Sequence, residues 1–193
     1  MRRLVLQPDA SQTAVEAVAA SLGWTPVAPL GLEDDDLRLD FVKESGRRAR
    51  WVDDSLSGWS YLLVSDLDHE AWRDALSRAG SIVSRDQALA VFRAARDVDS
   101  LREATLLLGL FAYGPLDQDV FASISAALLS SSEIVCHAAL SAVTYSSWRE
   151  FGLLLREGLA EAGDAPEVLH EAREIADRMD AEGWHVQYYA ADP

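Results

Sequence analysis

The feature that most constrains this 193-residue chain is an internal repeat in its second half. Leu101-Arg102-Glu103-Ala104-Thr105-Leu106 aligns first with Val135-Cys136-His137-Ala138-Ala139-Leu140 and then with Val168-Leu169-His170-Glu171-Ala172-Arg173, at successive offsets of 34 and 33. The segments between agree as well. Val120, Ile124 and Leu128 match Phe151, Leu155 and Leu159 at a constant offset of 31, with the same i, i+4, i+8 spacing. That spacing puts three apolar side chains on one face of a helix. Two helices with one wide apolar face each cannot bury it alone, so each pair has to lie against the next.

Helical periodicity begins at Asp66. Ala71, Trp72, Ala75, Leu76 and Ala79 form one stripe, which Gly80 ends. Ser84 with Gln87, and Ser100 with Glu103, have the spacing of capping boxes and predict two helix starts. Gly114-Pro115 breaks the chain, and further helices are predicted at about 117–129, 133–145, 148–162 and 166–181. Connections this short make neighbouring helices antiparallel.

Residues 1–65 have a different rhythm. Leu4-Val5-Leu6 is a short strand candidate; Pro8 to Ser11 supplies a turn and a cap for a helix carrying Ala14, Val15, Val18, Ala19 and Leu22, closed by Gly23. Three strands are predicted at Leu37–Glu44, Ala49–Asp53 and Trp59–Ser65, turned at Ser45-Gly46 and Ser57-Gly58 as a meander. The expected fold class is therefore α+β. A mixed α/β segment over residues 1–82, with a three- or four-stranded sheet, precedes a helical stack over 83–193 that ends in an aromatic tail.

The repeat resembles the HEAT family, whose first helix typically carries an apolar-Arg-x-x-Ala-like signature. Leu101-Arg102-Glu103-Ala104 fits it, whereas Cys136 and Leu169 stand where the arginine is expected. The resemblance covers Ser100 to Ala181, with Asp66 to Asp97 as a degenerate leading unit. It implies a scaffold that binds another macromolecule on the concave surface lined by the second helix of each pair. On those helices Asp117, Asp119, Ser123, Arg149, Arg156 and Glu157 lie off the apolar stripe and are the expected partner-binding residues.

Charge narrows the partner. The chain has 17 basic and 32 acidic residues, a net of −15, and phosphate binding would need the opposite balance. The expected partner is a protein with basic surface, and nucleic acid is not expected. An acidic module of this kind would suit neutralisation of a basic toxin or effector, as immunity proteins do. The longest apolar stretch, Leu106 to Tyr113, is far short of a membrane span, so neither anchor nor leader is expected. A single cysteine, Cys136, allows no internal disulfide, and a cytoplasmic location is the default.

No residue set points to catalysis, a cofactor or a metal. His69-Glu70 and His170-Glu171 start like a zinc-protease helix, but positions 73 and 174 hold Arg and Glu rather than the second His. Cys136 and His137, adjacent on a helix, point about 100° apart and do not face each other. Glu33 to Asp36 reads as a solvated acidic loop, and Arg47, Arg48 and Arg50 as a hairpin tip able to meet an anion. Trp184, Val186 and Tyr188 alternate like a strand returning to the N-terminal sheet. The competing reading is a small-ligand carrier or enzyme with a pocket between sheet and helices, formed by Asp53, Asp54 and Arg102.

Overall fold

The computed structural model describes residues 2–27, 37–158 and 166–182. It is an α+β fold whose chain divides into two compact units, Met1–Ser84 and Arg85–Pro193, slightly beyond the expected boundary. The acidic run Glu33–Asp36, Leu159 and the tail from Gly183 onward lie outside the described residues.

The first unit is a five-stranded antiparallel sheet of β1 (Arg2–Val5), β2 (Trp24–Val27), β3 (Leu37–Lys43), β4 (Arg48–Asp54) and β5 (Trp59–Val64), in the order β1-β5-β4-β3-β2. Period-two alternation sends Leu4, Leu39, Phe41, Ala49, Trp51, Leu62 and Val64 to one face. There they meet Val15 and Ala19 of α1 (Gln12–Ser21) and Trp72 and Leu76 of α2 (His69–Arg78). Trp72, wholly buried, lies 5.7 Å from the ring of Trp24 and 5.9 Å from that of Phe41. The Ser11 hydroxyl accepts the Ala14 N–H to start α1. Gly80, at φ 67°, stops α2 in a conformation that a side chain disfavours.

β2 is the strand that sequence reasoning missed. Pro26 argues against a strand in general, but β2 lies at the sheet edge, where the missing N–H costs no ladder bond. The other edge is closed by the chain itself: Gln7 N–H donates to Ser81 O and Val83 N–H to Val5 O, each at 2.9 Å.

The second unit is a two-row helical stack. One row holds α3 (Arg85–Ala94), α5 (Gln118–Leu128) and α7 (Glu150–Leu153), the last continuing as a π-helical turn at Leu154–Gly158. The other holds α4 (Val98–Gly109), α6 (Glu133–Thr144) and α8 (Pro166–Glu182). Helices within a row run parallel. Gly109, at the end of α4, abuts Ala142, near the end of α6, and His137 meets Glu171, each early in its helix. The approach at Gly109 is close enough that an added Cβ would lie 2.7 Å from Ala142 Cα.

The spacing of these contacts corrects the alignment. The step from the second unit to the third equals the step from the first to the second: Ala104, Ala138 and Ala172 are all buried, as are Leu108, Ala142 and Ala176. The match of Val168 to Val135 is therefore a one-residue slip, which apolar composition cannot detect. The start of α4 also differs from expectation. Asp97, not Ser100, is the cap: its carboxylate accepts the Ser100 N–H at 2.8 Å while the Ser100 hydroxyl accepts the Asp97 N–H. Ser100 is the third residue of the helix, the reciprocal half of a box that begins at Asp97.

Leu155 is buried in the stack while Arg156 reaches Asp180 of α8 from a partly exposed position. Leu155→Ala should cost about 2–5 kcal/mol, and Arg156→Ala less than about 1 kcal/mol, as read from urea denaturation. Gly109→Ala, which would stabilise an ordinary helix, should here destabilise by about 1–3 kcal/mol, because the new methyl meets backbone rather than a mobile side chain.

Candidate functional site

The six expected partner-binding residues are dispersed, and most of them are occupied internally. Asp117 caps α5, accepting the N–H groups of Asp119 and Val120, both at 3.1 Å. The same carboxylate takes a fork from Arg85 at the start of α3, Nε to Oδ2 and Nη2 to Oδ1, each 2.7 Å. Arg85 Nη2 also reaches Asp119 at 2.9 Å and Nη1 reaches Asp86 at 2.8 Å. Hydrogen bonds from Asp117, then Asp86 and Asp119, raise the Arg85 pKa further. Arg85 in turn is the main cause that lowers the Asp117 pKa, against the opposing effect of burial.

The remaining members fare differently. Ser123 returns its hydroxyl to Asp119 O at 2.7 Å, and Arg156 is engaged with Asp180 and Ala176 O. Arg149 is exposed at the start of α7, and Glu157 falls in the π-helical turn. Sequence spacing located these residues on the outer sides of helices, but not the distant arginines and carboxylates that claim them.

The pocket set is divided between the two units, with Asp53 and Asp54 in the first and Arg102 exposed on α4 in the second. Asp54 is a turn residue. Its carboxylate accepts the Leu56 N–H at 3.1 Å and the Ser57 hydroxyl at 2.9 Å, which builds the reversal between β4 and β5. Asp53 accepts the Ser60 hydroxyl across the strand pair at 2.8 Å. The arginine-rich hairpin is likewise engaged with carboxylates: Arg50 forks onto Asp40 at 2.6 and 3.0 Å, and Arg47 reaches the buried Asp68 at 2.8 Å.

Nucleophilic chemistry finds no support at Cys136. The thiol is buried, donates to Ser130 O at 3.0 Å, and has its pKa pushed up by burial, away from the reactive thiolate. His170 pairs with Glu174 along its own helix at 3.3 Å. Among the described residues, no group of three or more His, Cys, Asp or Glu is placed to hold a metal ion, and no helix is long and apolar enough to cross a membrane.

What the second unit does present is negative charge in register. Residues 85–193 hold 8 Arg against 18 Asp and Glu, a net of −10 out of −15. Asp99, Glu133 and Glu167 occupy the first turns of α4, α6 and α8, each one repeat from the next. One turn further in, Glu103, His137 and Glu171 share a repeat position, with His137 Nδ1 2.6 Å from Glu171 and Nε2 3.6 Å from Glu133. This edge could attract a cationic surface, and the regular spacing of its acids was readable in the sequence once the correct offset was applied.

Comparison with known proteins returned no matching family model, no similar curated protein and no similar solved structure.

Because the Asp117 pKa is lowered on folding, its contribution to stability is present above the ordinary carboxylate pKa near about 4 and is lost as pH falls through the folded value. Asp117→Ala should cost about 1 kcal/mol at neutral pH through the lost cap. The difference from wild type should shrink in urea titrations carried below that ordinary value; a constant difference would show that the Arg85 contact is not the source of the shift.

Proposed function

We propose that this chain is a non-enzymatic protein-interaction module. Its helical unit is a HEAT-like scaffold, and its partner is a protein with basic surface. The observation that carries the reading is the acid recurring at each first turn of the α4, α6 and α8 row, within a unit of net charge −10. Parallel helices in a row lie about 8–10 Å apart. Repeating one side-chain position along them makes a ladder of carboxylates that a string of Lys or Arg side chains can follow. Each acid also faces the positive end of its helix, which lowers the cost of holding so many like charges together.

Two further observations favour binding over chemistry. Polar groups with a catalytic look, Asp54 and Cys136, are used up by a turn and by a buried thiol contact. Charges on the α3, α5 and α7 row are largely paired, as Arg85 with its three carboxylates illustrates. The partner surface therefore belongs to the first-turn acids of α4, α6 and α8 rather than to the residues on α5 and α7 that the family resemblance implied. Neutralising a basic effector is the narrower form of the same reading.

Affinity purification from native lysate with mass spectrometry should recover a stoichiometric protein partner whose contact surface is rich in Lys and Arg. The combined substitution Asp99→Asn, Glu133→Gln, Glu167→Gln should weaken that complex by roughly ten-fold or more and flatten its salt dependence. Recovery of no stoichiometric protein, or a complex indifferent to the triple substitution, would count against the proposal.

A further inference from the structure

We infer that a second copy of this chain docks face to face on the outer side of α3, α5 and α7. These helices start together: Arg85 of α3 bonds to Asp117 and Asp119 at the start of α5, and Phe121 of α5 lies 4.8 Å from Phe151 in the first turn of α7. Their outer side is apolar along its length. No charged residue occurs between Asp119 and Glu133, and the large exposed side chains are Val91 at 47 %, Leu129 at 54 % and Leu153 at 61 %, one on each helix or its cap.

The two ends of this face carry opposite charge. At the starting end, Asp86, Asp117 and Asp119 share the single guanidinium of Arg85, and Arg149 offsets Glu150, which leaves an excess of two negative charges. At the far end α3 finishes with Arg93, and Arg96 follows; no acidic residue lies between Asp86 and Asp97, whose carboxylate is turned to the cap of α4. A uniformly basic partner would complement one end and be repelled at the other. A second copy complements both. With the twofold axis in the plane of contact and perpendicular to the helices, each helix lies antiparallel on its own counterpart. Apolar middle then meets apolar middle, and Asp86 of each copy comes opposite Arg93 of the other.

The face is small. Three helices about 15 Å long and about 10 Å apart cover on the order of 450 Å² per copy, at the low end for a specific interface, so the dimer is weak.

Sedimentation equilibrium of the full chain between about 10 μM and about 1 mM tests it. The average mass should climb toward that of two chains. Leu153→Glu should hold it at one, while Leu56→Glu, at an exposed position of the first unit, should change nothing. Arg93→Glu and Asp86→Arg should each weaken association by roughly ten-fold, and the two together should restore it. Three results would each overturn the inference: a single-chain mass at the highest concentration, association unaffected by Leu153→Glu, or a double reversal weaker than either single one.

Discussion

The close packing of α4 against α6 is the constraint on which the helical unit depends. Amphipathic helices as short as these are not stable alone in water; they persist because each buries its face against a neighbour. At Gly109 the two backbones approach so nearly that no side chain fits between them, which fixes both the separation of the helices and their register. Everything that recurs with the repeat follows from that contact. The Trp148 indole N–H reaches Gly114 O one repeat back at 3.0 Å, and Ser147 N–H reaches Ala112 O. Loops are thereby tied to the equivalent loops of the previous unit, and the stack is held at its turns as well as along its helices.

Register also organises the charge. Parallel helices begin at the same edge, so acids that each stabilise their own helix start become neighbours of acids on the next. In the row of α3, α5 and α7, Arg85 binds the acids from two helices and leaves little net charge. In the row of α4, α6 and α8, His137 is the residue set between two glutamates. The same repeat thus produces two surfaces of different character, an acidic edge and a largely apolar face with charged ends. The two proposed associations use these separately: a basic partner on the first and a second copy on the second.

The sheet unit shows the corresponding logic for strands. Its core is dominated by Trp24, Phe41, Trp51 and Trp72, which lets a small sheet bury much apolar area with few residues. Its polar groups mostly serve the turns and hairpins: Asp54 builds one reversal, and the buried Asp68 draws in Arg47 and Ser65. An acidic residue in such a chain signals a site only when its neighbours in space leave it unpaired, and neither of these does.

The sequence by itself determined the fold class, the change from period two to period 3.6 near Asp66, most helix positions, and the burial of Leu155, because these depend on side-chain polarity at local spacing. It also held Asp97 and the acids that recur once per repeat, though a one-residue slip in an Ala- and Leu-rich alignment concealed the true offset. Tertiary structure alone decided the rest. Pro26 could join a strand only because that strand became an edge, and Gly109 acquired its meaning from Ala142 on the neighbouring helix. Asp117 and Arg156 changed from open surface to internal partners through contacts with Arg85 and Asp180, both far away in the chain. Such pairings turn on distances in space between residues remote in sequence, and local pattern carries no information about distance.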